Sequence, residues 1–96
     1  MSTATVSIEN NALCVSGDIT LHNVMTLYRE SLLCLKKQSV TKFDFSRLKS
    51  SDSAVIALMV EWQRYCQAKG QQASFLNLPS QCQAVIKAAN LNVLFH

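Results

Sequence analysis

Ninety-six residues carrying a net charge of +3 make a single domain, long enough to bury roughly 65% of its unfolded surface. Charged residues are 16% and apolar residues 49%, so either the core is well filled or a partner covers part of the surface. So weak a charge, with no Lys/Arg run and 7% aromatic residues, argues against nucleic-acid binding, and no window of about 18 apolar residues offers a membrane span or direct membrane insertion.

Thr5 to Ile8 is rich in β-branched residues, and Glu9-Asn10-Asn11 is a turn signal. Leu13 and Val15 then alternate with Cys14 and Ser16 until Gly17-Asp18 closes the segment. This pattern predicts a two-stranded hairpin, its turn built on asparagines that tolerate left-handed backbone. Leu21, Val24, Met25, Tyr28, Leu32 and Leu35 fall at helical spacing and predict an amphipathic helix over His22 to Lys37. Thr20 is the expected cap, and Lys36 and Lys37 suit the negative end of the helix dipole.

Lys42 to Phe45 alternates again and reads as a strand, followed by a polar turn. A second helix is expected from Ser53 to Lys69, ended by Gly70, with Val55, Leu58, Met59, Trp62 and Cys66 facing the core. Ile56 and Val60 lie off that stripe, so the helix is apolar on more than one face near its start. Ala73 to Leu76 reads as a further strand. Leu78-Pro79-Ser80 opens a third helix, its proline confined to the first turn, with Cys82, Val85, Ile86 and Ala89 inward and Asn90 as the stop. Leu91 to Phe95 is expected to pack as a short last strand. The predicted order is β-β-α-β-α-β-α with a possible final strand, an α/β fold with a small mixed sheet and about three helices.

Catalytic arrangements are scarce. His22 opens a helix and His96 is the last residue; no nucleophile elbow or His-Glu-x-x-His motif is present. Gly17 and Gly70 are the only glycines, too few for a phosphate cradle. Cys14, Cys34, Cys66 and Cys82 share no metal-type spacing and each sits in an apolar segment. With no signal peptide evident, a reduced cytoplasmic domain is expected, without disulfide, metal or cofactor. No independent enzymatic activity is expected.

Ser51-Asp52-Ser53 is the most informative point of the chain, because it leads straight into the oily run Ala54-Val55-Ile56-Ala57-Leu58-Met59-Val60. Two readings stand. Asp52 and Ser53 form an ordinary helix start, Asp52 accepting from free first-turn amides. Alternatively Ser53 presents its hydroxyl to a partner, with Arg47 and Lys49 flanking the turn.

The whole chain resembles the STAS domain family, named for sulphate transporters and anti-sigma factor antagonists. The resemblance runs through Leu13-Cys14-Val15-Ser16-Gly17-Asp18-Ile19, Phe43-Asp44-Phe45-Ser46, Ser51-Asp52-Ser53, Asn77-Leu78-Pro79-Ser80 and Ala88-Ala89-Asn90-Leu91. Within the family it is most similar to the small cytoplasmic subunits of bacterial phospholipid-trafficking ABC transporters. That resemblance implies a non-catalytic subunit bound to the transporter's ATPase and, through it, associated indirectly with an inner-membrane permease. The implied contact residues are Ser51, Asp52, Ser53, Ala54, Val55 and Ile56, with Arg47 and Lys49. The other implied role is an anti-sigma factor antagonist controlled by phosphorylation of Ser53, which adds a charge of about −2. STAS domains commonly carry glycine just after the Ser/Thr; Ala54 and Val55 stand there instead, which adds bulk at the implied contact.

Overall fold

The structure, a computed structural model, describes residues 4–80 and 82–84. β1 (Ala4–Glu9) and β2 (Ala12–Ile19) pair antiparallel from Ala4↔Gly17 to Glu9↔Ala12. Asn10 and Asn11 make the two-residue turn, with φ of 54° and 63°. Both are left-handed, as a tight hairpin that follows the strand twist requires. β2 runs on past Gly17, whose φ of 92° lets the strand shift register before Asp18.

β3 (Lys42–Ser51) corrects the predicted polar turn, because Ser46 to Ser51 continue as strand. Its ten residues pair in parallel with the eight of β2, from Ala12↔Lys42 to Ile19↔Ser51. The excess is taken up by two register shifts, one between Cys14 and Ser16 and one between Gly17 and Asp18. Such bulges break the period-two pattern that marks a strand in sequence. β4 (Ser74–Leu76) adds in parallel on the far side of β3, giving the order β1-β2-β3-β4.

α1 (Val24–Lys37) and α2 (Ala54–Ala68) supply the crossovers that parallel strands need. α1 lies on β1 and β2 and against α2. α2 ends as predicted: Gly70 takes φ 69°, its amide donates to Gln67 O and the Gln71 amide donates to Cys66 O. Those two bonds close the last turn in a Schellman arrangement. The chain turns helical again at Ser80, where the amides of Cys82 and Gln83 donate to Pro79 O. The predicted inward positions Val85, Ile86 and Ala89, the stop at Asn90 and the strand at Leu91 to Phe95 lie outside the described residues.

The core forms between the sheet and the helices. Leu13, Val15, Phe43 and Phe45 from the strands meet Val55, Leu58, Met59, Trp62 and Cys66, the stripe predicted for α2. Phe43 stacks on Trp62 with centroids 4.7 Å apart, while Phe75 of β4 lies 5.7 Å from Phe43 and 6.2 Å from Phe45. Aromatic contacts of this kind add about 0.5–1.5 kcal/mol each beyond area burial.

The predicted stripe of α1 is corrected. Val24, Leu27, Ser31 and Leu35 are buried, Tyr28 and Leu32 are half-buried, and Leu21 and Met25 stand in solvent at 71% and 59% exposure. The stripe is rotated toward Leu27 because a serine sits at its centre. Trp62 Nε1 donates to Ser31 Oγ at 2.9 Å, and that hydroxyl donates to Tyr28 O at 2.6 Å. A buried indole N–H requires such a partner, so a polar residue takes a buried position that hydrophobic spacing passes over. The predicted cap Thr20 is also replaced. Asn23 precedes the helix, its Oδ1 accepting from the Thr20 amide and its Nδ2 donating to Asp18 O.

Two expectations follow. Ser31→Ala leaves the Trp62 indole N–H buried and unpaired and costs about 1–3 kcal/mol, read by urea unfolding. The second concerns Asp44, whose Oδ1 accepts from Asn77 Nδ2 at 3.0 Å and from the Ser46 amide at 2.9 Å. The Asn77 bond first, then the Ser46 amide, holds its carboxyl below the ordinary 3.8 against the opposing effect of desolvation. A depressed folded pKa contributes stability that is fully present above the unfolded pKa and lost as pH falls through the folded one. Melting temperature therefore falls as pH drops below about 4, and Asp44→Asn makes that acid limb shallower.

Candidate functional site

β2 and β3 end side by side, at Ile19 and Ser51, so the loops that open α1 and α2 emerge at one corner of the sheet. Asp52 ties them together. Its amide donates to Ile19 O at 3.2 Å; its Oδ2 accepts from the Leu21 amide at 3.3 Å and its Oδ1 from the Ala54 amide at 2.8 Å. One carboxylate thus serves a first-turn amide of α2 and the backbone of the neighbouring loop. A second tether lies one pair back, where Ser50 Oγ donates to Asp18 Oδ1 at 2.6 Å.

Ser53 precedes the first helical residue, with φ −63° and ψ −9°, and its side chain makes no capping bond. Asp52 and Ser53 are both exposed. The capping work expected of this turn falls to Asp52, which leaves the Ser53 hydroxyl facing solvent at a fixed place. Ala54 and Val55 are buried beneath it, and Ile56 is half-buried. Ser51 contributes through its backbone, opposite Ile19.

Arg47 does not join this group. Its Nη2 donates to Glu9 Oε1 at 3.0 Å and its Nη1 to Glu9 Oε2, a two-pronged ion pair reaching the edge strand β1. The Arg47 hydrogen bond, then that of Ser7, holds the Glu9 carboxyl below its ordinary value. Lys49 is exposed and occupies the bulge between Leu48, opposite Gly17, and Ser50, opposite Asp18.

Two exposed apolar residues near the start of α1 are absent from the predicted site. Exposed Leu21 and Met25 flank the start of α1, and Leu21 is the residue whose amide Asp52 accepts. Beyond them α1 and α2 part to leave an open groove of about 350 Å³ lined by Val24, Met25, Tyr28, Ala57, Leu58 and Glu61. Burial first, then Glu61, raises the Tyr28 hydroxyl above its ordinary pKa. The alternative stripe through Leu27 and Ser31 was the signal in the sequence that could have placed Met25 outside.

A family model described as "Mlab, STAS domain" matches residues 4–96. The chain belongs to the STAS domain family. The match is to its MlaB-like branch. No curated protein matches the chain. Among solved structures, the anti-sigma factor antagonist SpoIIAA in its unphosphorylated form is similar at a TM-score of 0.64 and 18% identity, over 88% of this chain and 82% of that one. The Bacillus cell fate determinant SpoIIAA in its phosphorylated form is similar at a TM-score of 0.66 and 17% identity, over 98% and 89%. Identities this low establish a shared fold. STAS domains are generally regulatory or interaction modules without catalysis.

The remaining chemistry is sparse. Among the described residues no group of three or more His, Cys, Asp and Glu gathers as for a metal, and no helix is long and apolar enough to cross a membrane. None of the four cysteines is in a disulfide. Burial pushes the Cys14 and Cys66 thiols up, and Asp44 and Glu9 add to the effect at Cys14, which keeps both thiols protonated and poorly nucleophilic.

Because Asp52 serves two loops, Asp52→Ala is expected to destabilise the domain by about 1 kcal/mol, within the range for loss of a helix cap. Amide hydrogen exchange should quicken at both Leu21 and Ala54, whereas loss of a simple cap would affect Ala54 alone.

Proposed function

We propose that this chain is a non-catalytic accessory subunit that binds and supports the ATPase of a bacterial phospholipid-transport ABC transporter maintaining outer-membrane lipid asymmetry. It works on the cytoplasmic side, peripheral to the inner membrane, and meets the permease only through the ATPase. The observation that carries this reading is the composition of the Ser53 corner. An exposed, uncapped hydroxyl opens α2 next to Asp52, which also accepts from the amide of exposed Leu21, and exposed Met25 follows in the first turn of α1. Apolar side chains left in solvent next to a rigid polar mark suit protein docking. The MlaB-like family match is what favours a transporter partner.

A second reading, an anti-sigma factor antagonist switched by phosphorylation of Ser53, uses the same surface. The uncommitted Ser53 hydroxyl favours it, as does the fold shared with SpoIIAA. The readings differ in partner, so co-purification separates them: the first expects a stable complex with the ABC ATPase subunit, the second with an anti-sigma factor.

Charge at position 53 tests the contact. A negative side chain suits a helix N-terminus, so Ser53→Glu leaves thermal melting unchanged or slightly raised. The same charge desolvated without a partner in an interface costs several kcal/mol. Ser53→Glu is therefore expected to weaken binding of the ATPase subunit by more than about tenfold, or about 1.4 kcal/mol, while Ser53→Ala binds nearly as wild type. Equal binding of Ser53→Glu and wild type would remove Ser53 from the contact.

A further inference from the structure

The groove between α1 and α2 is not explained by the Ser53 contact alone. Of the residues that line it, Val24, Met25, Tyr28, Ala57, Leu58 and Glu61, only Glu61 is charged. That charge is a carboxylate, and Asp52 carries another, bonded to the Leu21 amide just before α1. A chain of net charge +3 therefore presents an apolar trough whose one charged lining residue is an acid. Asp52 is already bonded to two amides. Among the described residues Glu61 pairs with Arg64, at 3.3 Å, and that arginine side chain is 72% exposed. An exposed pair of this kind is weak and yields readily to a better-placed base.

The walls also limit the shape of the occupant. Both are helices whose backbone groups bond internally, so the trough offers no strand edge for an extended peptide to join. A segment buried there has to satisfy its own backbone, which a helix does. Val24 to Tyr28 and Ala57 to Glu61 each span about one helical turn, near 6 Å, enough for one or two large side chains of an occupant helix.

We infer that this groove seats one short helix of the partner protein, apolar on the side that enters and carrying a lysine or arginine that meets Glu61. The inference rests on the accessory-subunit reading and extends the contact from the Ser53 corner along α1 and α2. Met25, exposed and unbranched, closes over the incoming side chains.

The test titrates the full chain against the purified ABC ATPase subunit at low and high salt, using Met25→Glu, Glu61→Gln, Glu61→Lys and Ser53→Glu. Leu33→Glu serves as control, because Leu33 is 62% exposed about two turns further along α1. Met25, Glu61 and Leu33 reach solvent, so melting temperatures should stay near wild type. Met25→Glu and Glu61→Lys are each expected to weaken binding by about tenfold or more, as for interface anchors. Glu61→Gln should flatten the salt dependence, and Leu33→Glu should bind as wild type. If Ser53→Glu loses binding while Met25→Glu and Glu61→Lys keep it, the groove is unoccupied and only the Ser53 contact survives. If wild type fails to bind the ATPase subunit, the accessory reading and the groove inference fall together. A concentration-dependent dimer of the chain alone, abolished by Met25→Glu, would assign the groove to a second copy and overturn the inference.

Discussion

The parallel pairing of β2 with β3 is the constraint on which the rest depends. It runs from Ala12↔Lys42 to Ile19↔Ser51 and so brings the two strands to an end at the same level. Each strand then feeds a helix, so α1 and α2 begin next to one another. Parallel pairs place the starts of their following helices at one end of the sheet, where such folds gather their binding surfaces. The two bulges in β3 matter for the same reason. Without them the longer strand would overshoot β2, and Asp52 could not reach the Leu21 amide.

Two aspartates turn that topology into fixed geometry. Asp52 joins the loop after β2 to the first turn of α2. Asp44 joins the first half of β3 to Asn77, which leaves β4 with a left-handed φ of 56°. Segments that carry the STAS resemblance separately in the sequence thus meet as contacts in space. Phe43-Asp44-Phe45-Ser46 meets Asn77-Leu78-Pro79-Ser80 through Asp44, and Gly17-Asp18-Ile19 meets Ser51-Asp52-Ser53 through the Ile19–Asp52 bond.

Much of this was legible in the sequence. The asparagine hairpin, the inward stripe of α2 and the glycine stop at Gly70 each follow from local chemistry that tertiary contacts reinforce. What escaped has a common cause, a polar group satisfied by a partner distant in sequence. Ser31 takes the centre of the α1 stripe because Trp62, thirty-one residues away, donates to it. The polar run Ser46 to Ser51 remains strand because β2 accepts its backbone. Arg47 turns away from the Asp52 corner because Glu9 on β1 holds it. Hydrophobic periodicity does not record any of these, so it placed Leu21 and Met25 in the core and concealed the groove beside the site.

The division of labour between Asp52 and Ser53 bears on how such a corner could be controlled. Helix N-termini favour negative charge because first-turn amides lack partners. Here Asp52 already accepts from one of those amides and places its charge there. A further negative charge at position 53 therefore gains little from the dipole and stands beside an existing carboxylate. Its stabilising effect on the isolated fold is small, while its cost in a dry contact is undiminished. A serine whose hydroxyl does no capping can thus change charge without unsettling the domain that presents it. Had Ser53 been the capping acceptor itself, modifying it would alter folding and binding together, and the corner would make a poor switch. The separation of the two roles onto adjacent residues lets the surface respond while the fold stays fixed.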